Sequence, residues 1–97
     1  MVIDLTNLED CLVCGAYEAL VFGKPLLVSK TKVLMDYFGD AVVLTENTPE
    51  AICQGVLRTH AQSDDLVRNG KNWVNRNERY MNERITQLKA TLSSLPY

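Results

Sequence analysis

Cys11 and Cys14 stand three apart within EDCLVCGAYEALVFGKP, residues 9–25, and Glu18 follows them by one helical turn. A thiol pair at that spacing could ligate a metal or cycle between dithiol and disulfide. A carboxylate just inside a short helix could instead accept hydrogen bonds from both hydroxyls of a ribose. A zinc site would need two further ligands, and Cys53 and His60 are of the right type. They lie within one helical pattern, however, not as a second tight pair. A redox dithiol also follows a strand and opens a helix, but its usual aromatic residue before the first cysteine is missing. The plain alternative is two small, partly buried thiols. His60, the only histidine, falls near a helix C-terminus, where capping or dipole compensation is its expected role. Lys30 and Lys32 could reach a phosphate, although solvated surface lysines are the commoner outcome. Trp73 and Tyr80 fall on an apolar helical stripe and read as packing residues.

These residues need elements to hold them. Val2–Thr6 is a β-branched apolar run that reads as a buried strand. Cys14–Phe22 reads as a short helix stopped by Gly23. Pro25 opens a second strand over Leu26–Val28, proline being tolerated at a strand's first residue. Thr31 can cap a small helix through Leu34 and Phe38, closed by Gly39. Ala41–Leu44 is the third strand. Thr48-Pro49-Glu50 is a helix start, with a capping hydroxyl, proline at the first position and an acid in the first turn. Ile52, Val56, Leu57 and His60 are the expected apolar side of that helix. Ser63-Asp64-Asp65 opens a last helix with apolar residues at Leu66, Trp73, Val74, Tyr80, Met81, Ile85, Leu88, Leu92 and Leu95. Gly70 is a place for it to loosen or bend. Unbroken from Asp64 to Leu95, it would run about 48 Å.

Strands alternating with helices predict an α/β fold with a parallel sheet, and strands without polar alternation suit a sheet covered on both faces. Right-handed crossovers place the three strands in a row. Three is few for a doubly wound domain, which usually has five or six. The expectation is therefore a partial Rossmann-like, three-layer fold with a short parallel sheet and a long C-terminal helix. Residues 1–62 form the partial domain and 63–97 its helical extension.

The 97 residues suffice for one small domain. With 46% hydrophobic and 23% charged residues, the chain has an ordinary globular composition, not a disordered one. A net charge of −2 gives no sign of nucleic-acid binding. No apolar run reaches membrane-spanning length, and the opening MVIDLTNLEDC lacks signal-peptide character. Three cysteines do not make a disulfide framework, which predicts reduced thiols and a cytoplasmic setting.

In open parallel sheets, ligands sit outside the carboxyl ends of the strands. Here the loop Asp10–Val13 runs into the first helix, whose free amides and positive dipole end are receptive to a phosphate. Gly15 would allow close approach of a ligand to the backbone. Glu18 lies about one turn further on. It is either a ribose-binding carboxylate or a glutamate that only favours the helix dipole, an effect of about 0.3–1 kcal/mol.

GAYEALVFGKPLLVS carries a resemblance. It is similar to the nucleotide-sugar-binding C-terminal domain of GT-B-fold glycosyltransferases of the group 1 type, family 4 in the usual classification. Those enzymes carry two glutamates separated by seven residues, followed by EA-L/M-A-x-G-K/R-P-V-I-x-S. Glu18-Ala19-Leu20 and Gly23-Lys24-Pro25-Leu26-Leu27-Val28-Ser29 match in order and spacing. NTPEAI, Asn47–Ile52, resembles the family's segment leading into its next helix. The resemblance implies that Glu18 binds the nucleotide ribose and that the amides of Val13, Cys14 and Gly15 face the donor diphosphate. It also implies that Asp10, where the family has its first glutamate, is the catalytic-site contact to the donor sugar. Aspartate is one methylene shorter, and Thr31-Lys32 stands where the family often has a glycine pair.

The implied donor is a nucleotide-diphosphate sugar as substrate, with no cofactor and no metal. The implied reaction is retaining sugar transfer, driven by charge stabilisation of the departing diphosphate. The family's diphosphate-neutralising Arg and Lys and its acceptor-binding N-terminal domain lie beyond what 97 residues hold. The chain is thus expected to be inactive alone. Its expected partners are the donor and either the remaining N-terminal part of such an enzyme or a second copy of the chain. The missing domain would bring the membrane surface as a further partner. Two other classes stand beside this one: a non-catalytic oligomerisation module pairing through an exposed sheet edge, and a dithiol redox protein using Cys11 and Cys14.

Overall fold

A computed structural model describes residues 1–9 and 11–95, with the backbone alone at Cys14. The chain runs β1 (Val2–Asp4), α1 (Cys14–Val21), β2 (Leu26–Ser29), α2 (Lys32–Phe38), a 3-10 turn (Gly39–Ala41), β3 (Val43–Thr45), α3 (Pro49–Ala61) and α4 (Ser63–Ser93). The three strands are parallel in the order β1-β2-β3. Val2 stands opposite Leu26, and Leu27 opposite Val43. The fold is α/β with a short parallel sheet and a long C-terminal helix, consistent with part of a Rossmann-like domain.

The strand side chains divide between two cores. Leu26 and Val28 face a cluster built with Ala16, Leu20, Leu34, Phe38 and Trp73, on the side of α1 and α2. Leu27 points the other way, to Val43, Leu66 and Val56 beneath α3. All four residues of β2 are buried, as an apolar run without alternation requires when both faces are covered.

Local chemistry sets the element ends. Thr31 Oγ1 accepts from Leu34 N at 3.2 Å and Thr48 Oγ1 from Ala51 N at 3.2 Å, so both expected hydroxyl caps are formed. Gly23 and Gly39 take positive φ, 69° and 55°, where a Cβ would be strained. The turn at Gly39 carries Ala41 into the 3-10 segment, so β3 begins at Val43, later than the apolar run suggested. Ser63 starts α4 without capping it. Its hydroxyl donates backwards to His60 O at 2.7 Å and Thr59 O at 3.1 Å, closing α3 instead.

The expected apolar side of α3 holds at Val56, which packs on the second core, but needs correction elsewhere. Its buried positions are Gly55 and Thr59, whereas Leu57 is exposed. A Cβ on Gly55 would lie 2.9 Å from Leu27 Cδ1, so the helix rides on the sheet at the one residue that has none. Thr59 is hidden by donating its hydroxyl to Gly55 O at 2.7 Å. Polar or small residues at the contact are invisible to a hydrophobicity pattern.

α4 is continuous through Gly70. That glycine admits α1, since an added Cβ would sit 3.1 Å from Leu20 Cδ2. Leu66 enters the core under α3 and Trp73, two turns on, enters the core under α1 and α2. The helix therefore crosses below the sheet, near the 3-10 turn that leads into β3, and closes both cores. Asn69 Nδ2 donates to Asp40 O at 3.2 Å and Trp73 Nε1 to Tyr37 O at 2.8 Å, satisfying carbonyls at the end of α2. Trp73 also meets the rings of Tyr17, Tyr37 and Phe38 at centroid distances of 5.9, 5.3 and 5.1 Å. It is a packing residue, as its sequence pattern suggested. Tyr80 is not, being exposed on α4 together with Met81, Ile85, Leu88 and Leu92, as is Leu95 just past the helix end.

Trp73→Ala removes both the ring packing and the indole donor. We expect a loss of about 3–5 kcal/mol in urea unfolding, much of the total for a domain of this size.

Candidate functional site

The carboxyl ends of the three strands lie at the opposite end of the sheet from α4. There Ser29, Asn47, Thr6 and Asn7 form a connected polar network. Thr6 N donates to Ser29 Oγ at 2.8 Å, and that hydroxyl donates to Asn47 Oδ1 at 2.8 Å. Asn47 Nδ2 donates to Thr6 O at 2.8 Å and to Asn7 Oδ1 at 2.9 Å. The network fixes the amide's orientation, because the reversed form would set Asn47 Oδ1 against the Thr6 carbonyl. It also explains why β1 ends at Asp4 and not at Thr6. Both backbone groups of Thr6 are taken by side chains from the ends of the other two strands. Ser29 is fully buried, and among the described residues no buried side-chain polar atom lacks a partner.

Two further contacts hold the loop after β1. Leu8 N donates to Thr6 Oγ1 at 3.1 Å, and Glu9 Oε2 accepts from Lys32 N at 3.4 Å, at the first turn of α2. The network residues and Glu9, with Lys30, Thr31, Thr45 and Glu46, line a polar cup of about 170 Å³. Lys30 Nζ stands 4.0 Å from Glu46 Oε1, both side chains largely in solvent. Such a pair adds little to stability.

The loop leads into α1, where the expected site residues are gathered. Val13 is the N-cap in extended conformation and brings no capping oxygen. Its side chain is buried in the core, so only its backbone is available to a ligand. Cys14 is the first helical residue and Gly15 the second. Glu18 is one turn along, on the same helix, and exposed. Val13, Cys14 and Gly15 thus stand at the helix mouth, while Glu18, the fifth of the eight helical residues, lies one turn further along. Asp10 lies outside the described residues.

Gly15 also has a packing reason of its own. The group that approaches it is the chain's own Asp4, whose Oδ2 would lie 2.7 Å from an added Cβ. A carboxylate from the end of β1 therefore stands beside the first turn of α1 and offsets the positive end of the dipole. Any phosphate bound there shares the mouth with that charge. Pattern reading missed Asp4 because it belongs to a strand and meets α1 only through the fold.

The other chemistry is dispersed. Cys11 packs at the margin of the core on the α1 side, while Cys53 is exposed on α3, across the sheet. This separation removes the zinc arrangement that would join them. Among the described residues, no group of three or more His, Cys, Asp or Glu side chains is placed to hold a metal ion. Among the described residues, no helix is long and apolar enough to cross a membrane.

No family model, curated protein or solved structure matches the chain. Its chemistry is therefore read from the geometry of the α1 mouth and the strand ends.

Asp4→Asn is expected to lower stability by about 0.3–1 kcal/mol at low ionic strength, the usual scale of a charge at a helix N-terminus. The difference should shrink in 1 M NaCl, where the Debye length is about 3 Å. Paired urea titrations at the two salt concentrations would show it.

Proposed function

We propose that the chain is the donor-binding portion of a retaining glycosyltransferase, taking a nucleotide-diphosphate sugar and inactive in transfer by itself. The observation that carries this reading is the exposed Glu18 carboxylate one turn inside a helix whose N-cap, Val13, has no side-chain oxygen. That helix begins at the carboxyl end of a parallel sheet, the usual side for ligands in such sheets. In this reading the Glu18 oxygens take the ribose hydroxyls. The amides of Val13, Cys14 and Gly15 face the diphosphate, favoured by the dipole and opposed by Asp4. Asp10 contacts the donor sugar. Remaining parts of the enzyme supply the cationic groups and the acceptor site.

Calorimetric titration with UDP, GDP and ADP tests this. Binding of one of them is expected. Glu18→Ala should weaken it about 10- to 100-fold, the scale of hydrogen bonds to a charged group at about 1.5–3 kcal/mol. Silence from all three nucleotides, or an unaltered affinity in the variant, would remove the reading.

A second reading, a non-catalytic oligomerisation module, is favoured by two surfaces. β1 pairs on one side only, leaving a row of unpaired backbone groups. The exposed residues Met81, Ile85, Leu88 and Leu92 alternate by four and three along α4, the seam spacing of a coiled coil. Light scattering on the purified chain should then give a dimer or larger species, and a monomer across the micromolar range would discard it.

A further inference from the structure

We propose that Asn47 is the positioning residue for the loop between β1 and α1, and through that loop for the helix mouth. The proposal rests on the donor-binding reading only for what the mouth binds. Asn47 is far from Thr6 in sequence, on the loop between β3 and α3, yet it holds Thr6 O, Asn7 Oδ1 and Ser29 Oγ at 2.8, 2.9 and 2.8 Å. One planar amide thus ties the exits of all three strands, using its acceptor on one and its donors on another.

Among its described residues, the loop has few other attachments. Leu8 is exposed, and its bond to Thr6 is local. The Glu9 to Lys32 contact, at 3.4 Å, is long and exposed. The apolar anchors come only at its far end, with Cys11 and Val13 against the core. Between the strand and those anchors, the Asn47 amide and the Ser29 hydroxyl decide the direction in which the chain leaves the sheet. That direction sets where the amides entering α1 stand relative to Glu18. A ligand spanning diphosphate and ribose needs both groups at a defined separation, so releasing the loop makes binding bear the cost of ordering it.

The test combines hydrogen exchange with titration on the whole chain, using wild type, Asn47→Ala, Asn47→Asp and Ser29→Ala. In the free protein, exchange over residues 5–13 should rise at least tenfold in Asn47→Ala and Ser29→Ala. Amides of α4 around Trp73 should keep wild-type protection. Asn47→Asp keeps the size and the acceptor for Ser29 but sets a carboxylate oxygen against Thr6 O. It should release the loop as fully as alanine, an outcome that simple space-filling would not produce. Affinity for whichever of UDP, GDP or ADP binds wild type should fall about fivefold or more in each variant. Unchanged loop exchange, a rise shared by the whole sheet, or a freed loop with undiminished nucleotide affinity would each overturn the proposal. If wild type binds none of the three nucleotides, the donor reading fails, and the exchange pattern alone decides whether Asn47 positions the loop.

Discussion

Covering both faces of β2 is the constraint on which this molecule depends. Leu26, Leu27, Val28 and Ser29 are all buried, and a strand in that position needs a layer on each side. A chain of 97 residues has little material for two layers. It uses α1 and α2 for one and α3 for the other, then sends α4 beneath both. Leu66 and Trp73 on that single helix complete the two clusters. Close packing is achieved where side chains are smallest. Gly55 lets α3 down onto Leu27, and Gly70 lets α4 against Leu20.

The two ends of the sheet are held in different ways. Below, α4 closes the fold with aromatic surface and two side-chain donors aimed at the carbonyls of α2 and the turn after it. Above, where strands end and loops begin, attachment is almost wholly polar. The Ser29, Asn47 and Thr6 network stands in for one more rung of the β1–β2 ladder. Hydrogen bonds of this kind each add about 0.5–1.5 kcal/mol net, enough to select a loop direction though not to dominate stability.

Electrostatics at the α1 mouth is finely balanced. The helix offers its positive end, and Asp4 supplies a carboxylate to it from within the chain. Glu18 adds a second negative group one turn away. An anionic ligand would therefore depend on hydrogen bonds and on cations from elsewhere, not on the dipole alone.

Much of the architecture was legible from residue types alone. Threonine before a helix, proline at its first position, glycine after its end and uninterrupted aliphatic runs are local signals, because each acts on the backbone within a turn of itself. They determined the element order, the parallel α/β class and the caps at Thr31 and Thr48. Tertiary structure alone decided what lies against what. It turned Leu57 outward and buried Thr59, set Asp4 against Gly15, and brought Leu20 close against Gly70 of α4. It also joined Asn47 to Thr6 across most of the sheet. Such contacts depend on distances between segments remote in sequence, and no local propensity encodes them.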